Sequence, residues 1–93
     1  MIFKLAFYEA ALKEWHKLDP HIKLQFQTKL KDRLSHPRLA SAKLAGHPDR
    51  YKIKLRSVGY RLVYEVLDNE VLVMVVAVGK RERNQVYLLA KNR

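Results

Sequence analysis

The chain has 93 residues, is 48% hydrophobic and carries a formal net charge of +10 at pH 7, with a pI near 10.1. That length suits one compact domain spanning residues 1–93, and the charge favours an acidic partner such as nucleic acid, an acidic protein or an anionic membrane surface. There is no cysteine, which excludes a disulfide framework and a thiolate metal site.

Residues 2–7 are short and apolar apart from Lys4 and predict a first β-strand. The N-terminus lacks a signal-peptide pattern. From Glu9 the period changes: Ala11, Leu12, Trp15 and Leu18 recur at helical spacing. Asp19-Pro20 ends that helix and starts another, with Asp19 placed to cap it and Pro20 in its first turn. Ile22, Phe26, Leu30 and Leu34 form the buried stripe of this second helix, while Lys23, Lys29, Lys31 and Arg33 lie off it. His36-Pro37 stops it. The two helices are expected to form a hairpin packed on a sheet. Residues 38–50 read as a loop with a short helical turn near residues 41–44.

Residues 51–64, YKIKLRSVGYRLVY, alternate with a period of two. Lys52, Lys54 and Arg56 fall on one face and Tyr51, Ile53 and Leu55 on the other, as in a half-buried strand. Ser57-Val58-Gly59 offers a turn, and the next strand brings Arg61 back beside those cations. Residues 67–70 suit a hairpin turn. Residues 71–78 are nearly all apolar and mostly β-branched, which predicts a central strand and is too short a run to span a bilayer. Lys80, Arg81 and Arg83 leave that strand in a charged loop. Val86, Leu89 and Ala90 predict a short C-terminal helical turn, with Tyr87 on a different face. The order is β-α-α-β-β-β in a small α+β domain with an antiparallel-rich sheet. The expected setting is the cytoplasm, with no membrane partner.

Four histidines, His16, His21, His36 and His47, lack ligand spacing, the acidic residues do not cluster, and no glycine-rich phosphate loop is present. No metal or cofactor is expected. What remains is a set of cations and tyrosines. A pleated basic surface with Tyr60, Tyr64 and Tyr87 beside it suits single-stranded nucleic acid. A solvated basic face has the same spacing.

The runs YKIKLRSVGYRLVYEV and VAVGKRERNQVY, with ALKEWHKLDP and KLAGHPDRYKIKL before them, resemble the RelE toxins of bacterial toxin–antitoxin systems over nearly the whole chain. The resemblance implies a ribosome-dependent endoribonuclease that cuts mRNA in the ribosomal A site, contacts ribosomal RNA there and is held by a cognate RelB-like antitoxin. It implies that operator DNA is met only through the antitoxin complex. By position it implies a catalytic set of Lys52, Lys54, Arg61, Arg81 and Tyr87. In that set Lys54 would be the base for 2′-hydroxyl attack, Lys52 and Arg61 would hold the phosphate, Arg81 would stabilise the leaving oxygen and Tyr87 would stack on a base. The antitoxin is expected to wrap the domain and to inhibit either by added bulk that blocks entry to the A site or by displacing the C-terminal turn, which is easily moved because few apolar residues anchor residues 88–93. Two other readings stay open: a ParE-like toxin acting on DNA gyrase, and a non-catalytic RNA-binding module.

Overall fold

The computed structural model describes residues 2–93, the side chain of Arg83 excepted. Its strands are β1 (Lys4–Phe7), β2 (Arg50–Leu55), β3 (Tyr60–Leu67) and β4 (Leu72–Lys80); its helices are α1 (Glu9–His16), α2 (Pro20–Ser35) and α3 (Gln85–Lys91). They form an α+β fold with a four-stranded sheet in the order β1-β4-β3-β2. β1 runs parallel to β4, and the other two pairings are antiparallel. The helix hairpin, the order of elements along the chain and the antiparallel-rich sheet agree with the sequence.

One face of the sheet carries Tyr51, Ile53, Leu55, Leu62, Tyr64, Val73 and Val75, which pack with Trp15, Ile22, Phe26 and Leu30 of the helix hairpin. Each fully buried aliphatic or Phe side chain of this core contributes about 1.5–3 kcal/mol of transfer free energy. Ala11 and Trp15 define the inner face of α1, whereas Leu12 turns outward and is 38% exposed. The sequence stripe overreached there, because adjacent helical residues cannot both face the core centre. Asp19 occupies the N-cap of α2 as expected, but its side chain makes no capping bond. Its carbonyl receives Ile22 and Lys23, and Pro20 opens the helix.

The opposite face is covered by α3. Val86 and Ala90 pack on Val63, Val76 and Ala77. This second cover explains why β4 is almost uniformly apolar. A bulge between Val63 and Tyr64 leaves Val76 without a partner across the ladder, and Val76 joins this second cluster. Gly79 permits the close approach of α3, since a Cβ there would lie 3.3 Å from Val86 Cγ2.

Candidate functional site

The cationic surface is built by one hairpin. The β2–β3 register puts Lys54 opposite Arg61, and β3–β4 puts Arg61 opposite Gly79 and Tyr60 opposite Lys80. The turn at residues 56–59 closes through Gly59, whose positive φ of 70° favours glycine. The Gly59 amide donates to the Leu55 carbonyl at 2.9 Å, and the Arg81 amide donates to the Gly59 carbonyl at 2.9 Å. That second bond ties the exit of β4 to the tip of the hairpin, so Arg81 begins its exposed turn beside Lys54 and Arg61. Lys52 is two residues along β2 on the same face. Four of the five expected site residues are thus gathered by strand register and one turn.

Their electrostatics follow from crowding. Lys52, then partial burial, then Arg61 and Arg56 hold the Lys54 ammonium below the usual lysine range. Arg61 is buried, and its Nη1 donates to the Tyr60 carbonyl at 3.2 Å. The expected contribution of Arg83 lies outside the described residues.

Tyr87 is placed differently. It sits on α3 in a neighbouring cleft of about 660 Å³ lined by Leu44, His47, Arg50, Asn84 and Lys91 among others. Its hydroxyl is buried without a hydrogen-bond partner among the described residues. The cleft beside Lys52 and Lys54 shares no lining residue with this one. A base stacking on Tyr87 would therefore meet the ring at the α3 side of the cationic hairpin.

Arg50 has a structural role that sequence reasoning did not assign. Its Nε donates to Glu65 at 2.8 Å, and its Nη1 donates to the Ala90 carbonyl near the end of α3. It continues the alternation of Lys52 and Lys54 by one step, which was the available signal. Arg93 forms a second anchor: Nη1 and Nη2 reach Glu14 at 2.9 and 3.0 Å, and Nη1 also reaches the Val76 carbonyl. These contacts correct the expectation of a weakly held tail. Its apolar anchors are few, but the Arg93–Glu14 ion pair and the Arg50 bond to the Ala90 carbonyl fix it. Arg50→Ala should lower stability by about 1–3 kcal/mol, since it takes the guanidinium from the half-buried Glu65 carboxylate and removes one of the two donors to the Ala90 carbonyl. Urea unfolding would measure this, and a loss under about 0.5 kcal/mol would show that Arg50 does not anchor α3.

Among the described residues no group of three His, Cys, Asp or Glu side chains is arranged to hold a metal ion, and no helix is long and apolar enough to cross a membrane.

Comparison with known proteins adds identity to this geometry. Residues 5–85 match the family described as ParE toxin of type II toxin-antitoxin system, parDE. The mRNA interferase toxin RelE of Escherichia coli (strain K12) is 54% identical over 93 residues, covering 100% of this chain and 98% of the relative. The R81A/R83A mutant of E. coli toxin RelE in the free state superposes with a TM-score of 0.92 at 52% identity, covering 100% of this chain and 98% of that one. The same mutant in complex with a peptide of the antitoxin RelBc superposes at 0.85 and 52% identity, covering 97% and 95%.

Proposed function

The chain belongs to the RelE toxins, within the RelE/ParE superfamily of type II toxin–antitoxin systems, and from that premise we propose that it is an endoribonuclease that cuts mRNA in the ribosomal A site. The observation that carries this reading is the Lys54–Arg61 pair, set by strand register beside Lys52 and the Arg81 turn. Relatives named mRNA interferase over the full chain support it against the gyrase alternative.

The chemistry can run with this chain, its substrate and water. The RNA 2′-oxygen forms a bond to the adjacent phosphorus while the P–O5′ bond breaks, leaving a 2′,3′-cyclic phosphate and a 5′-hydroxyl. Lys54 in its neutral form accepts the 2′-hydroxyl proton. Lys52 and Arg61 neutralise the phosphoryl oxygens, and a guanidinium can do so through two parallel bonds. Arg81 balances charge on the departing 5′-oxygen, which takes its proton from water. Tyr87 stacks on a base and holds the strand toward in-line geometry. A site without histidine gains from a substrate already bent on the ribosome, and dispersed lysines such as Lys23 and Lys29 add phosphate contacts to ribosomal RNA.

A cognate RelB-like antitoxin completes the system. It restrains the toxin in the cytoplasm, and only the complex reaches operator DNA. Purified protein added to a translating extract should produce cuts in mRNA within codons occupied by ribosomes, and none in the same mRNA without ribosomes. Intact mRNA together with inhibited gyrase supercoiling would overturn the reading.

A further inference from the structure

We propose that the outer edge of β2 carries a second phosphodiester-binding cleft, formed by Arg33, Ser41 and Arg56 beside Lys52 and Lys54. It deepens the nuclease reading and rests on it for the class of ligand. The cleft holds about 270 Å³ and is lined by four cationic side chains, one hydroxyl and no carboxylate. Arg33 reaches it from α2 and is fixed there. Its Nη1 donates to the Lys52 carbonyl at 3.1 Å and to the Tyr64 hydroxyl at 3.0 Å. Its guanidinium also lies 5.9 Å from the centre of the Tyr64 ring. The Tyr64 hydroxyl in turn donates to the Pro37 carbonyl at 2.7 Å.

All these partners of Arg33 are neutral. Among the described residues no carboxylate pairs with Arg33, Lys52, Lys54 or Arg56, whereas Arg38, Arg50 and Arg93 all have one. A guanidinium has five N–H donors, and only Nη1 of Arg33 is engaged. Its other donors remain for an anion, with Ser41 exposed across the cleft. Cations held this close without a counter-charge repel one another, as the depressed Lys54 shows. A phosphate relieves that repulsion. The cleft adjoins the scissile-phosphate cations through Lys52 and Lys54, so its occupant is either the next phosphate of the cut strand or a phosphate of ribosomal RNA.

Binding of uncut RNA tests the cleft separately from cleavage. In an Arg81→Ala background, Arg56→Glu and Ser41→Asp would be compared with Lys4→Glu, an equal charge reversal at an exposed position on β1, at the opposite edge of the sheet. Two probes would be titrated at several salt concentrations: ribosomes without mRNA, and a short single-stranded RNA with a 2′-deoxy residue at the cut position. Arg56→Glu should weaken one or both at least tenfold and reduce the slope of log affinity against log salt by about 0.7–0.9, one phosphate contact. Ser41→Asp should weaken the same probe. Loss on empty ribosomes assigns the phosphate to ribosomal RNA, and loss on the oligonucleotide assigns it to the message. Unchanged binding of both probes by Arg56→Glu and Ser41→Asp would overturn the cleft, as would an equal loss with Lys4→Glu.

Discussion

Arg81→Ala is expected to lower single-turnover cleavage on the ribosome by at least about a hundredfold, the usual scale for removing one stabiliser of developing charge. The fold should survive. Arg81 is exposed, and its structural bonds are made by its backbone: the amide donates to Gly59 and the carbonyl accepts from Asn84. The E. coli relative solved with both turn arginines replaced keeps the same architecture. Arg81→Lys separates charge from shape. It retains a cation but loses the planar fork, so partial recovery would assign Arg81 to charge balance and no recovery would assign it to bidentate geometry. Wild-type cleavage by Arg81→Ala, with unchanged thermal unfolding, would remove Arg81 from the mechanism.

The cationic hairpin was legible because a strand has period two. Once residues 51–55 were read as a half-buried strand, Lys52 and Lys54 had to share a face, and the tight turn at Gly59 returned Arg61 opposite Lys54. The apolar stripe of α2 was legible for the same kind of reason, since Ile22, Phe26 and Leu30 recur every four residues and are all buried. What escaped depends on contacts between distant segments. No local pattern assigns a role to Arg50 or Arg93, yet each finds a carboxylate, on β3 and on α1, 15 and 79 residues away in the chain. Arg33 read as a solvated charge off the α2 stripe, and only the packing of α2 on the sheet brings it over the edge of β2. The cleft around Tyr87 depends on the loop at residues 44–47 lying against α3, which no local periodicity encodes.

These polar anchors also change how inhibition by an antitoxin must work. A segment that lifts α3 has to replace the bonds of Arg50 to Ala90 and of Arg93 to Glu14 and Val76, besides covering Val63 and Ala77. Apolar side chains alone would leave the Glu14 carboxylate without Arg93 and Arg50 Nη1 without the Ala90 carbonyl, at a cost of a few kcal/mol, while Arg50 keeps Glu65. A displacing segment therefore needs an acidic residue facing Arg50 and a donor facing Glu14 along with its apolar contacts. A strongly basic toxin favours that composition on electrostatic grounds as well.

The proton transfer gives the second large effect. Lys54→Ala should slow cleavage by about 10²–10⁴-fold, the range for a general base. The pH profile fixes its sign. A base must be neutral to accept the 2′-hydroxyl proton, so with Lys54 in that role the wild-type rate should rise with pH and level off once Lys54 is deprotonated. Lys52, partial burial, Arg61 and Arg56 depress that transition below the ordinary lysine range. Bound phosphates oppose them by favouring the ammonium, so the transition on the ribosome should lie above that of the free protein. Removing a neighbouring cation tests the cause: Arg56→Ala should shift the profile toward higher pH, because one source of repulsion is gone. At a fixed neutral pH that variant should cut more slowly, with the deficit closing as pH rises. Lys54→Ala should lose the pH-dependent rise, and a small amine added to its reaction should restore part of it if the missing function is proton acceptance. A flat wild-type profile together with full activity in Lys54→Ala would exclude Lys54 as the base and leave the cationic hairpin a binding surface.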